Sequence, residues 1–148
     1  MVDPAEQSPH TRWSELGVPA TGLERHFAIM SGRSTKRAVI FECVGVPGVL
    51  QSLIEAAPPT ARILVAGVCM QPDAIEPFLA IVKQLALQFV YGYTPDEFAA
   101  TLRDIAEGRI DAQPLVTGVV GLSGVAHAFE TLANPQSEIK IVVDPGLA

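Results

Sequence analysis

The chain has 148 residues and a mass of 15.7 kDa, a one-domain length that can bury a sizeable core, about 68–70% of its unfolded surface. Apolar residues make up 49%, charged residues 18%, and mean hydropathy is +0.32, which excludes a disordered or acidic activation segment. Ten Lys/Arg against sixteen Asp/Glu, with a pI near 4.9, argue against a nucleic-acid or anionic-membrane surface. Two cysteines, Cys43 and Cys69, fit a reducing cytoplasm better than a disulfide scaffold and read as small buried thiols. The longest nearly uncharged stretch, Pro77 to Tyr93, is broken by Lys83, Gln84 and Gln88, too soon for a membrane span. Met1-Val2-Asp3-Pro4-Ala5-Glu6 has no signal-peptide pattern, so the expected location is cytoplasmic.

Residues 1–37 carry five basic and four acidic residues and read as an irregular, Pro-punctuated connection. It ends in a short helix, where Thr21 and Glu24 are spaced as a capping box and Leu23, Phe27 and Met30 share a face. A polar break follows from Ser31 to Arg37. From there strand and helix alternate. Ala38 to Val44 is a continuous apolar run, as in a strand covered on both faces, and it ends at Gly45. Pro47 to Ala57 is helical, with Pro58-Pro59 as its stop, Arg62 to Val68 is the next strand and Leu87 to Tyr91 the third. Thr94-Pro95-Asp96-Glu97 opens a helix with an N-cap, Pro at N1 and a capping-box Glu; Phe98, Leu102 and Ile105 form its stripe and Gly108 closes it. Ser123 opens a last helix, and Ile139 to Val143 is a last strand. This alternation predicts an α/β fold built from βαβ units with a mainly parallel sheet.

Reactive constellations are sparse. There is no G-x-G-x-x-G; Gly118-Val-Val-Gly121-Leu-Ser-Gly124 has the wrong spacing and reads as a turn before a helix, without a clear strand. Gly32 to Lys36 lacks the Gly-Lys-Ser/Thr order of a phosphate loop, and no G-x-S-x-G elbow occurs. His10, His26 and His127 are far apart, His127 reading as a partly exposed helix residue, so three or four convergent zinc ligands are not expected. Glu42, an acid inside an apolar strand, is either functional or satisfied by backbone donors. Cys43-Val44-Gly45 and Ala66-Gly67-Val68 end successive strands, where ligands bind in open α/β sheets. Their glycines serve either the close approach of a flat ligand or the turn itself.

Phe41-Glu42-Cys43-Val44-Gly45, then Gly67-Val68 and Phe89-Val90-Tyr91-Gly92-Tyr93-Thr94, resemble the zinc-dependent alcohol dehydrogenases of the medium-chain dehydrogenase/reductase superfamily. The likeness runs on through Leu102 to Ile110, Pro114 to Thr117 and Ala128 to Leu132, and ends in Lys140-Ile141-Val142-Val143-Asp144-Pro145. Val2-Asp3-Pro4 resembles the end of the family's third Rossmann strand. The chain thus resembles the family's C-terminal portion. The fold it implies is a partial Rossmann-like, doubly wound sheet with helices on both faces, truncated at its N-terminal half. Residues 1–93 would form the second half of the cofactor-binding domain, and 94–148 the segment that returns to the catalytic domain.

The same resemblance implies that Cys43, Val44, Gly45, Ala66, Gly67, Val68, Val90 and Tyr91 line the nicotinamide half of an NAD(P) cleft, with Lys140 near the pyrophosphate. It also favours a structural role for Glu42. The family's zinc ligands, its Gly-rich phosphate turn and its ribose-reading acid have no counterpart here, so NAD(P) binding is expected to be weak or absent and zinc is not expected. Gln71 to Pro77 matches the segment through which family subunits pair, implying a homodimer; a separate chain supplying the missing half is the other implied partner. Two readings of function stay open: a portion of an alcohol dehydrogenase that is inactive alone, and a non-catalytic assembly module or one half of a split dehydrogenase.

Overall fold

A computed structural model describes residues 9–134 and 138–147, so the expectation for Val2-Asp3-Pro4 lies outside the described residues. The chain divides into two compact units, Met1–Gly92 and Tyr93–Ala148. No helix among the described residues is long and apolar enough to cross a membrane.

The first unit opens with two short 3-10 turns, Pro9–Arg12 and Ser14–Leu16, where the sequence suggested only an irregular connection. Helix α1 (Gly22–Met30) is capped by Thr21 Oγ1, which accepts from Glu24 N at 3.1 Å. The return arm of the box is shifted: the Glu24 carboxylate accepts from Ala20 N at 2.8 Å and from Ser14 Oγ at 3.2 Å. Strands β1 (Val39–Glu42), β2 (Arg62–Val65) and β3 (Ala86–Phe89) form a parallel sheet in that order, with Ile40 beside Ile63 and Ile63 beside Leu87. Between them run α2 (Val49–Ala56) and α3 (Pro77–Val82), the latter not anticipated from the sequence. Gly48, at φ +85°, rather than Pro47, is the residue that turns into α2.

Side chains alternate across a strand, so the register places Ile40, Ile63 and Leu87 on one face. That face packs against Ile54, Leu53, Leu79 and Ala80 of the helices, with Val18 and Trp13 at the margin. The indole of Trp13 donates to Ala56 O at 3.4 Å, and Lys83 Nζ donates to Ile54 O at 3.0 Å and to Glu55 O, satisfying carbonyls at the α2 terminus. Among the described residues of the first unit, nothing covers the opposite face: Val39 is 54% and Phe41 67% exposed, while Arg62 and Gln88 bond across β2 and β3. The sequence reading of β1 as covered on both faces is therefore corrected. An apolar run records what could be buried, and burial needs a covering element, which α2 and α3 supply to one face.

In the second unit α4 (Pro95–Ala106) carries the full capping box, Thr94 Oγ1 accepting from Glu97 N and Thr94 N donating to the Glu97 carboxylate. Those donors hold the Glu97 carboxyl below its usual range. The stripe of Phe98, Leu102 and Ile105 is largely exposed rather than buried, and Phe98 stacks on Tyr93 with ring centroids 5.6 Å apart. Strand β4 (Gly118–Val120) stands where a turn was expected, paired in parallel with β5 (Ile141–Val143). A short 3-10 turn at Leu122–Gly124 leads into α5 (Val125–Leu132), on which His127 is exposed as expected.

Candidate active site

The carboxyl ends of β1, β2 and β3 surround a cleft of about 380 Å³ in the first unit. Its organising group is Glu42, the last residue of β1, which lines the cleft and is only 4% exposed. Glu42 Oε1 accepts from Val44 N at 2.6 Å and Gly45 N at 2.8 Å, while its carbonyl accepts from Ala66 N at 2.8 Å and Gly67 N at 2.9 Å. One residue thus gathers four backbone donors from the turns that follow two neighbouring strands. A buried carboxylate persists only with such partners. Of the two readings of Glu42, backbone satisfaction is the one observed for Oε1.

The same turns explain the glycines. A Cβ added at Gly67 would lie 2.3 Å from Gly45 N and 2.5 Å from Glu42 Oε2; one at Gly45, where φ is +70°, would lie 2.6 Å from Val68 N. Close approach is required here, between the two turns themselves. Gly45, Gly67, Val68, Val90 and Tyr91 line the cleft, as do Glu42, Val46, Leu50, Cys69, Asp73 and Ile75. Cys43, Val44 and Ala66, which the resemblance set beside them, do not line it. Lys140 lies in the second unit, where its carbonyl accepts from Thr117 N at 2.9 Å. Cys43 is exposed and Cys69 half-buried, correcting the reading of both as buried thiols: each stands past its strand's last paired residue.

Asp73 entered the sequence reading only as part of the pairing segment Gln71 to Pro77, and not as a residue of the cleft. It reaches the site through α2, its Oδ1 accepting from Gly48 N at 2.9 Å, and Glu76 N bonds Gln51 Oε1 at 2.8 Å nearby. A wider groove beside α1 has its charged groups engaged locally, Glu24 on Ala20 N and Arg33 on Ser31 Oγ. Among the described residues no three of His, Cys, Asp and Glu converge as metal ligands, so the donor set does not fit a zinc centre.

A parallel α/β sheet with a cleft at its carboxyl edge is the architecture of Rossmann-type dehydrogenases, and solved structures agree. The chain is similar to 2R,3R-butanediol dehydrogenase from Bacillus subtilis with a TM-score of 0.64 and 28% identity, covering 82% of this chain and 35% of that one. An alcohol dehydrogenase from Thermus sp. ATN1 shares the fold with a TM-score of 0.66 over 97% of this chain and 38% of its own, at 20% identity. In sequence, the chain is 32% identical over 111 residues to (R,R)-butanediol dehydrogenase of Neisseria gonorrhoeae, covering 74% of this chain and 31% of that protein. It is also 31% identical over 129 residues to 2-dehydro-3-deoxy-L-galactonate 5-dehydrogenase of Pseudoalteromonas atlantica, covering 82% and 37% respectively. No family model matches. The chain belongs to the zinc-type alcohol dehydrogenase family, and it spans about a third of the length of these curated relatives.

Proposed function

We propose that this chain is the portion of an alcohol or polyol dehydrogenase that carries the nicotinamide half of the NAD(P) cleft and has no turnover of its own. One observation carries the reading: Gly45 and Gly67 meet beneath an apolar cleft at the carboxyl ends of three parallel strands. Gly67, Val68, Val90 and Tyr91 would present backbone and ring surface to the nicotinamide. Bound there, the cofactor would supply a hydride acceptor, and the described residues of the first unit would supply the seat of its nicotinamide. The Gly-rich turn that ordinarily holds the pyrophosphate is missing from the sequence, so affinity is expected in the millimolar range, about −4 kcal/mol. NADH titrated into the isotope-labelled chain should shift the amides of Gly67, Val68, Val90 and Tyr91 with such a constant. No shift of these amides, or shifts confined to other residues, would overturn the cofactor reading, and a micromolar constant would overturn the expected weakness.

A second reading, an assembly module, is favoured by the sheet edge. Ala38 O and Glu42 O point to β2, so the backbone groups of Val39 and Phe41 face outward from an apolar edge strand. We expect a homodimer through Gln71 to Pro77, a largely exposed loop, with the β1 edge as a further pairing surface, or as the seat of a separate chain supplying the rest of the sheet. Two free cysteines suit a cytoplasmic setting for either reading. Light scattering during size exclusion should return about twice the 15.7 kDa chain mass; a clean monomer across the micromolar range would overturn it.

A further inference from the structure

We propose that the amino edge of the first sheet carries a second site, which binds the phosphate group of a small phosphorylated metabolite between Arg25 and Lys83. This edge, opposite the cleft, gathers positive charge. Arg33, Lys36 and Arg37 lie on the segment that enters β1, Arg62 opens β2, and Lys83 stands just before β3. With Arg25 these are six of the seven Lys/Arg in residues 1–92, in a chain of net charge −6. None of the six pairs with a carboxylate among the described residues, whereas the seventh, Arg12, pairs with Glu15. Like charges gathered without counter-charge repel one another, a cost that a bound dianion removes.

The edge is concave where Thr21, Gly22 and Arg25 line a cavity of about 440 Å³ together with Lys83 and Gln84. That volume lies within the range of small-ligand sites, and no Asp or Glu lines it. The acids nearby in sequence are engaged, Glu24 on Ala20 N and Ser14 Oγ, Glu55 on Gln51 Nε2. Arg25 is half-buried, and its guanidinium donates to nothing among the described residues. Lys83 is held in place: Nζ donates to Ile54 O and Glu55 O, and its carbonyl accepts from Thr60 N at 2.7 Å. One ammonium N–H of three is left over. A half-buried cation without a partner is costly, and a guanidinium fork beside an ammonium is the donor set for a phosphate. Pro59 and Val82 give the wall apolar surface, which suits the organic part of an ester. The site and the cofactor cleft occupy opposite edges, and neither reading depends on the other.

Inorganic phosphate and glycerol phosphate, each titrated into the isotope-labelled full chain at constant ionic strength, test the site. Both should shift the amides of Gly22 and Gln84 with constants of about a millimolar, the ester binding more tightly, and leave Gly67 and Val90 in place. Binding of the free ion alone would overturn the assignment to a metabolite. No saturable shift, or an equal response to chloride, would overturn the site itself. Arg25→Gln should weaken phosphate about tenfold, and Lys83→Gln, which keeps a donor, serves where the first variant does not give a native spectrum. Arg12→Gln removes a charge already paired and should change the constant less than about twofold. Unchanged binding in the variants that fold, or an equal loss in Arg12→Gln, would overturn the assignment to this cavity. NADH shifts at Gly67 and Val90 with no phosphate effect would defeat this proposal and leave the cofactor reading standing; phosphate shifts with no NADH effect at those two amides would do the reverse.

Discussion

Gly67→Ala is expected to destabilise the Met1–Gly92 unit by about 3 kcal/mol or more, the upper end for an overpacked site. The new methyl would lie 2.3 Å from Gly45 N and 2.5 and 2.8 Å from the two oxygens of Glu42, so it strikes backbone and a buried carboxylate rather than a yielding side chain. Relief would require the turns after β1 and β2 to separate, breaking the bonds from Ala66 N and Gly67 N to the Glu42 carbonyl. Trp13, the sole tryptophan, packs against the core of this unit and reports its unfolding in urea by fluorescence. Gly22→Ala is the matched control. It places the same methyl in open space at the start of α1, at ordinary φ, and should be neutral or stabilising by up to about 1 kcal/mol. Equal midpoints for Gly67→Ala and wild type would mean that the two turns do not meet as described.

Local chemistry made the clearest elements legible. The Thr94–Glu97 box forms as its spacing dictates, because every atom it needs lies within four residues. The strands of the first unit were legible as apolar runs, yet Val39 and Phe41 could not announce that nothing among the described residues of that unit covers their side of the sheet. Helix α3 escaped notice because Pro77 to Phe89 is apolar almost throughout; the break between helix and strand is made by Gln84 at φ +53°, a backbone event that composition hides. Strand β4 is three residues long, too short to show a period, and exists through its ladder with β5. At the cleft, residues at strand ends could be placed by topology. The meeting of Gly45 with Gly67 and the arrival of Asp73 depend on contacts between turns distant in sequence.

Ile63→Ala should cost the first unit about 2–5 kcal/mol, and Ile63→Val about 0.5–1.5 kcal/mol. Ile63 is fully buried at the middle of the central strand, with Ile40 and Leu87 beside it and the equally buried Ile54 in the same core cluster. Truncation there leaves a void bounded by strands on two sides and a helix above, which cannot collapse without moving the sheet. One residue along, Leu64 has Phe41 as its neighbour on β1, on the other face. Phe41→Ala, at 67% exposure, should therefore cost under about 1 kcal/mol in dilute solution, against about 3–5 kcal/mol for a buried phenylalanine. Urea midpoints read through Trp13 separate the two. A Phe41→Ala loss as large as that of Ile63→Ala would show that the face is covered. If that loss also grows with protein concentration, the cover is a second molecule, since only a partner that binds the folded state makes stability depend on concentration.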